Sequence, residues 1–182
     1  MEFQLTDQQE GFRADVCNFL TNELTQDVRQ SNHDPSEQGE YKWPFVKEFR
    51  KKLAKRGYLG IGWPKEYGGG GRDMLHQVLF FEEMDYHGAP SLSPSYTYLP
   101  MGIILFGTEE QKSFFLPRLS SGDMDFFQGY SEPEAGSDLA NLQCRAVAEG
   151  DEFVVNGQKL FSSKAHHSEW AFMLVRTNPD VR

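Results

Sequence analysis

F-Q-G-Y-S-E-P-E-A-G-S-D, from Phe127 to Asp138, and K-L-F-S-S-K-A, from Lys159 to Ala165, decide the reading of this chain. In the first stretch Tyr130, Ser131, Glu132 and Pro133 run into a small turn, Ala135-Gly136-Ser137-Asp138, with accessible amides. In the second, a ring at Phe161 precedes a hydroxyl at Ser163 by two residues, and in a strand such residues share a face. A flat ring beside short hydroxyls and free amides suits a planar heterocycle with polar edges. Turn chemistry is the competing reading of the first stretch taken alone. Ser, Pro, Gly and Asp all form turns, and Ser137-Asp138 is able to cap a short turn at Leu139.

The sequence on the two sides of Gly122 follows different periods. Before it, apolar residues recur at helical spacing. Thr6-Asp7-Gln8-Gln9 reads as a capping box ahead of Phe12, Val16, Phe19, Leu20 and Leu24 on one face. Ser31 to Glu40 is polar, holds a proline, and reads as a loop. Trp43-Pro44 opens a second helix with Phe45, Phe49 and Leu53 in a buried stripe, ended by Gly57. An aromatic connector, Tyr58 to Tyr67, leads to a third helix, largely buried, marked by Met74, Leu75, Val78, Leu79, Phe81 and Met84. Leu99 to Phe106 is helical, and Thr108-Glu109-Glu110-Gln111 caps another helix that ends near Gly122. After Gly122 the period becomes two. Phe126 to Ser131, Leu142 to Ala148, Phe153 to Val155, Gln158 to Ser163 and Trp170 to Arg176 read as antiparallel strands. Glu149-Gly150-Asp151 turns one pair, and Asn156-Gly157 is the strongest short hairpin signal.

Length and composition set the outer bounds. A chain of 182 residues with a net charge of -9 has room for one domain or two small ones, and its acidity disfavours nucleic acid and anionic membrane as partners. No apolar run is long enough to span a bilayer, so no integral membrane segment is expected. The polar N-terminus resembles neither a signal nor a transit peptide. Two distant cysteines, Cys17 and Cys144, fit reduced thiols and a cytoplasmic location.

Other motifs have plainer readings. Gly68 to Gly71 lacks the Lys-Ser or Lys-Thr of a phosphate loop and reads as a flexible turn. Glu82, Glu83, Asp85 and His87 read as a solvated helix end, since di-iron bundles place Glu and His three apart, twice. His166 and His167, adjacent in a strand, face opposite ways and do not chelate one ion. No metal site is expected.

Both decisive stretches, with N-G-Q-K at Asn156 to Lys159, L-G-I-G-W-P-K-E-Y-G-G from Leu59 and F-G-T-E-E-Q-K from Phe106, resemble the acyl-CoA dehydrogenase family of flavoenzymes. The resemblance implies an N-terminal all-α domain, residues 1–122. It implies next the opening strands of an antiparallel, barrel-like β domain, residues 123–182, incomplete. The family's C-terminal four-helix domain, with its catalytic glutamate, lies outside this sequence, so no catalytic residue is assigned here. It implies FAD as cofactor. Gln128, Tyr130 and Ser131 would lie at the flavin edge, Gly136 and Ser137 at the flavin, Ser137 also at the substrate thioester, Phe161 against the ring, and Ser163 near flavin N5. Gln128, Phe161 and Lys164 depart from the residues commonest in the family. By position, Leu92 to Met101 would line the acyl pocket. The expected activity is α,β-dehydrogenation of an acyl-CoA, with electron-transfer flavoprotein as acceptor and a homo- or hetero-oligomer as the assembly. A non-catalytic assembly subunit and a family oxidase stand as alternatives.

Overall fold

The computed structural model describes residues 4–26, 28 and 43–178. The loop read over Ser31 to Glu40 lies outside the described residues. The chain forms two compact units, Met1–Asp123 and Met124–Arg182.

The first unit is helical. Helix α1, Asp7–Glu23, starts at the Thr6 capping box: Gln9 N donates to Thr6 Oγ1 at 3.4 Å and Thr6 N to Gln9 Oε1 at 2.9 Å. Its buried face is Phe12, Val16, Phe19 and Leu20. Helix α2, Trp43–Lys55, buries Val46, Phe49, Arg50 and Leu53. It ends where Gly57 takes φ 70°, with Gly57 N bonded to Ala54 O and Tyr58 N to Leu53 O. That bond pair satisfies carbonyls a helix end leaves open, and the left-handed position favours glycine. Helix α3, Met74–Tyr86, is capped by Asp73, whose carboxylate accepts from His76 N. Helices α4, Leu99–Phe106, and α5, Glu109–Ser120, follow, the latter from the Thr108–Gln111 capping box. The core joins α1, α2 and α3 through Phe19, Leu20, Leu53, Tyr58, Leu59 and Phe80.

The apolar stripe of α3 and the run Gly68 to Gly71 both depart from expectation. The buried stripe of α3 is His76, Leu79, Phe80, Glu83 and Met84, while Met74 and Val78 are exposed. The helix is apolar almost all round, so periodicity alone does not choose its inner face. The run Gly68 to Gly71 is laced rather than loose. Gly70 N bonds to Gly60 O, Gly71 N to Trp63 O and Arg72 N to Ile61 O. A Cβ at Gly69 would sit 2.3 Å from Trp63 O, so the glycines serve close backbone approach to the connector.

The second unit carries four short strands among its described residues. β1 is Phe126–Gly129, β2 Arg145–Glu149, β3 Glu152–Asn156 and β4 Trp170–Met173. β2 and β3 form an antiparallel hairpin, Glu149 opposite Glu152, turned at Gly150 with φ 65°. β1 and β4 pair in parallel, Phe126 opposite Trp170, against the expectation of antiparallel pairing throughout. The long connection between them is what a parallel pair requires. Asn156-Gly157 makes no hairpin, and the return strand expected over Gln158 to Ser163 is irregular. Gly157 presses on Cys144, where a Cβ would meet Cys144 Cα at 2.7 Å. Tertiary contact therefore takes the glycine that local turn chemistry would have used. Beyond β4, Arg176 pairs in parallel with Arg145 as an isolated bridge.

Candidate functional site

The site begins with one carboxylate. Glu132 is buried, its side chain 4% exposed, and its Oε1 accepts from Lys159 Nζ at 2.8 Å. The lysine side chain is 8% exposed and also donates to Tyr130 O at 3.1 Å. Glu132 further accepts from Cys144 N at Oε1 and Gln143 N at Oε2. Burial pushes this carboxyl up, but the hydrogen bonds from Lys159, Gln143 and Cys144 prevail and hold it below the ordinary glutamate range.

Around that pair the two decisive stretches meet. Leu160 N donates to Ser131 O at 2.9 Å, joining the first stretch to the second. Glu132 and Ala135 exchange backbone hydrogen bonds, closing the turn that presents Gly136 and Ser137 in exposed positions. Gln128 sits on β1 opposite Phe172 of β4. The Tyr130 ring packs near Phe172, with centroids 6.5 Å apart. Phe161 is 88% exposed and holds φ 54°, a left-handed conformation uncommon for a bulky residue. Ser163 N donates back to Phe161 O at 2.9 Å. The alternation assumed for Phe161 and Ser163 therefore does not exist; a tight turn sets their directions instead.

His166 and His167 also differ from expectation. They lie in a short 3-10 turn, not a strand, and their rings approach to 4.0 Å between centroids.

The helical unit, taken by itself, has two features of its own. A cavity of about 400 Å³ is lined by Trp63, Met74, Phe81, Tyr96, Tyr98 and Met101 among others, with Gln77 and Thr97 as polar groups. Of the stretch expected at an acyl pocket, Tyr96 to Tyr98 and Met101 line this cavity. The α3 residues and Trp63 were not singled out for it, because a loop and a helix far apart in sequence meet there.

The second feature is a buried acid. Glu83 is 5% exposed, not solvated as the sequence suggested. Arg13 Nε donates to its Oε1 at 2.6 Å and Cys17 Sγ to its Oε2 at 3.0 Å. Burial raises the Glu83 carboxyl, and the bonds from Cys17 and Arg13 reverse that to hold it low. Burial and the same carboxylate push the Cys17 thiol up to about 11. Cys17, Glu83 and His87 offer ligand atoms within 4.8 Å of one another. With Arg13 on the carboxylate and the thiol kept protonated, the arrangement is a charge-compensated structural network.

Sequence reasoning missed the partnership of Glu132 with Lys159. The two residues stand 27 positions apart, each in its own motif, and nothing local pairs them.

Two domain models cover nearly all of the chain: acyl-CoA dehydrogenase, N-terminal domain, over residues 6–123, and acyl-CoA dehydrogenase, middle domain, over residues 128–182. The chain belongs to the acyl-CoA dehydrogenase family. It is 41% identical to acyl-CoA dehydrogenase FadE26 of Mycobacterium tuberculosis over 99% of its own length and 45% of that protein's. It is 34% identical to bovine mitochondrial isovaleryl-CoA dehydrogenase, covering 96% of itself and 40% of the relative. Among solved structures it resembles the ChsE4-ChsE5 complex from M. tuberculosis, with TM-score 0.88 and 38% identity, covering 99% of this chain and 45% of that one. It also resembles the Tcur3481-Tcur3483 steroid ACAD, with TM-score 0.85 and 35% identity, over 100% of this chain and 46% of that one. The chain thus spans under half the length of these relatives. Among the described residues no helix is long and apolar enough to cross a membrane.

Proposed function

We propose that this chain provides the N-terminal and middle parts of an FAD-dependent enzyme that dehydrogenates an acyl-CoA thioester between its α and β carbons. The observation that carries the reading is Phe161. It offers a nearly free aromatic face in a backbone conformation that costs about 1 kcal/mol or more. Such a cost is kept where the surroundings enforce it, and here the Leu160–Ser131 bond and the Lys159–Glu132 pair do so.

The residues fit a flavin. Beside Phe161, the Ser162 Oγ is buried and lacks a hydrogen-bond partner among the described residues. Exposed amides at Gly136 and Ser137 and the Ser163 hydroxyl supply polar groups for a ring edge. In this reading Phe161 would hold the face of the ring, Ser163 its N5 edge, and Gln128, Tyr130 and Ser131 its border. Gly136 and Ser137 would help hold it too, and Ser137 would also serve the substrate thioester. Bound FAD supplies the acceptor for the hydride that leaves the β carbon. A donor on the thioester carbonyl stabilises the enolate-like charge left by loss of the α proton. Glu132 is not the base for that proton, because Lys159 and two amides occupy its oxygens. The base belongs to the remainder of the family's fold. Electron-transfer flavoprotein is the proposed electron acceptor.

A bulky, ring-bearing acyl group is the proposed substrate class. A cavity of about 400 Å³ with aromatic walls lies in the size range of small-molecule sites and suits a ring-bearing group. The likeness to a steroid ACAD supports the same class, and that structure and the ChsE4-ChsE5 complex support a heteromeric assembly. The test is kcat/KM for a steroid side-chain CoA thioester against butyryl-CoA in the intact, FAD-loaded enzyme. The ring-bearing thioester should be favoured at least tenfold; a preference for butyryl-CoA would overturn the substrate class.

A further inference from the structure

We infer that Glu132 and Lys159 are a positioning pair that sets the spacing and orientation of the flavin-facing segments; this rests on the flavin reading above. The two charged groups are buried together, and a buried ion pair is a weak source of stability, since desolvation offsets most of its attraction. What this pair does is geometric. Through Oε1 and Oε2, Glu132 gathers Lys159, Cys144 N and Gln143 N, fixing the residues after β3 and those before β2 to one point. Lys159 returns a second bond to Tyr130 O, next to Ser131. The Leu160–Ser131 bond then follows one residue along each strand of chain, and the Glu132–Ala135 bridge carries the same anchor to Gly136 and Ser137. One ion pair thereby sets Tyr130 and Ser131, Gly136 and Ser137, and Phe161 relative to each other. It also keeps the Lys159 charge neutralised beside the ring's proposed place.

The two ends of the pair have opposite electrostatic consequences. Glu132→Gln leaves a cation uncompensated, which favours reduced, anionic flavin. Lys159→Met leaves an anion, which opposes it. The experiment measures FAD affinity and flavin midpoint potential for the intact protein, co-expressed with any partner subunit, as wild type, Glu132→Gln, Lys159→Met and the double variant. Far-UV circular dichroism serves as the fold control. Each single variant is expected to bind FAD at least tenfold more weakly. The potential should move upward in Glu132→Gln and downward in Lys159→Met, and the double variant should lose less affinity than the two singles combined. A purely structural role would lower the melting temperature of the variants and leave affinity and potential at wild-type values; that result overturns the inference. Wild-type protein that takes up no FAD overturns the flavin reading, and the inference with it. Should either single variant yield no soluble protein, Lys159→Arg keeps the charge and alters the reach. Altered affinity or potential there supports the pair's role, and wild-type values overturn it.

Discussion

Glu132 titrates below its ordinary range in the folded chain, and that direction fixes how acid acts on the β unit. Burial raises its pKa, while Lys159 and the amides of Gln143 and Cys144 lower it by more. In the unfolded chain a glutamate titrates at about 4.3. The folded value lies lower, so the contribution is fully present above the unfolded value and is lost as pH falls through the folded one. Thermal melts from about pH 7 to about pH 3 should show wild type losing stability below about pH 4. Glu132→Gln should lose less over that window, by about one proton's worth of slope, while being less stable at neutral pH by about 3–5 kcal/mol through the stranded lysine. Identical slopes would mean that Glu132 does not control the transition. Ser163 makes a second case at this scale. Its side chain is exposed and its backbone amide closes the Phe161 turn. Ser163→Ala in the intact enzyme should keep the fold and weaken or perturb the flavin; unchanged spectrum, affinity and activity would remove its assigned role.

At the scale of elements, the β hairpin shows which glycine carries the fold. At Gly150 an added Cβ meets open space, and its φ of 65° is one that asparagine tolerates. At Gly157 an added Cβ would lie within 2.8 Å of Cys144 Cα, Cβ and Sγ. Gly157→Ala should therefore lower the urea midpoint clearly, by about 1–3 kcal/mol of stability, while Gly150→Asn shifts it little. Equal effects would show that the Cys144 contact relaxes without cost. The same comparison explains what was legible in the sequence. Thr6, Thr108 and Gly57 mark helix ends through bonds spanning a few residues, so local pattern suffices for them. Asn156-Gly157 carried the stronger local hairpin signal, yet packing against Cys144 decided its role. The partner of β1 lies more than forty residues on, at Trp170–Met173, beyond the reach of periodicity. The meeting of the S-E-P and F-S-S segments at Ser131 and Leu160 follows motifs the sequence displays. The ion pair behind it spans Glu132 to Lys159, and no local rule names which acid takes which base.

For the molecule as a whole, the helical unit offers an aromatic cavity and the β unit offers an exposed aromatic turn on a buried clamp. The chain covers 45% of a relative's length, and the buried acid of the turn motif, Glu132, is fully engaged. Residues 1–182 expressed alone should therefore turn over no acyl-CoA with an artificial electron acceptor. Turnover comparable to a full-length family member would place the proton-abstracting base within this segment. The most direct test of the flavin site is the visible absorbance spectrum of the intact protein, wild type against Phe161→Ala. Wild type should show the bands of bound oxidised flavin, and Phe161→Ala should shift or lose them with circular dichroism unchanged. A wild type without flavin, or a Phe161→Ala protein with the same spectrum and FAD content, would contradict it.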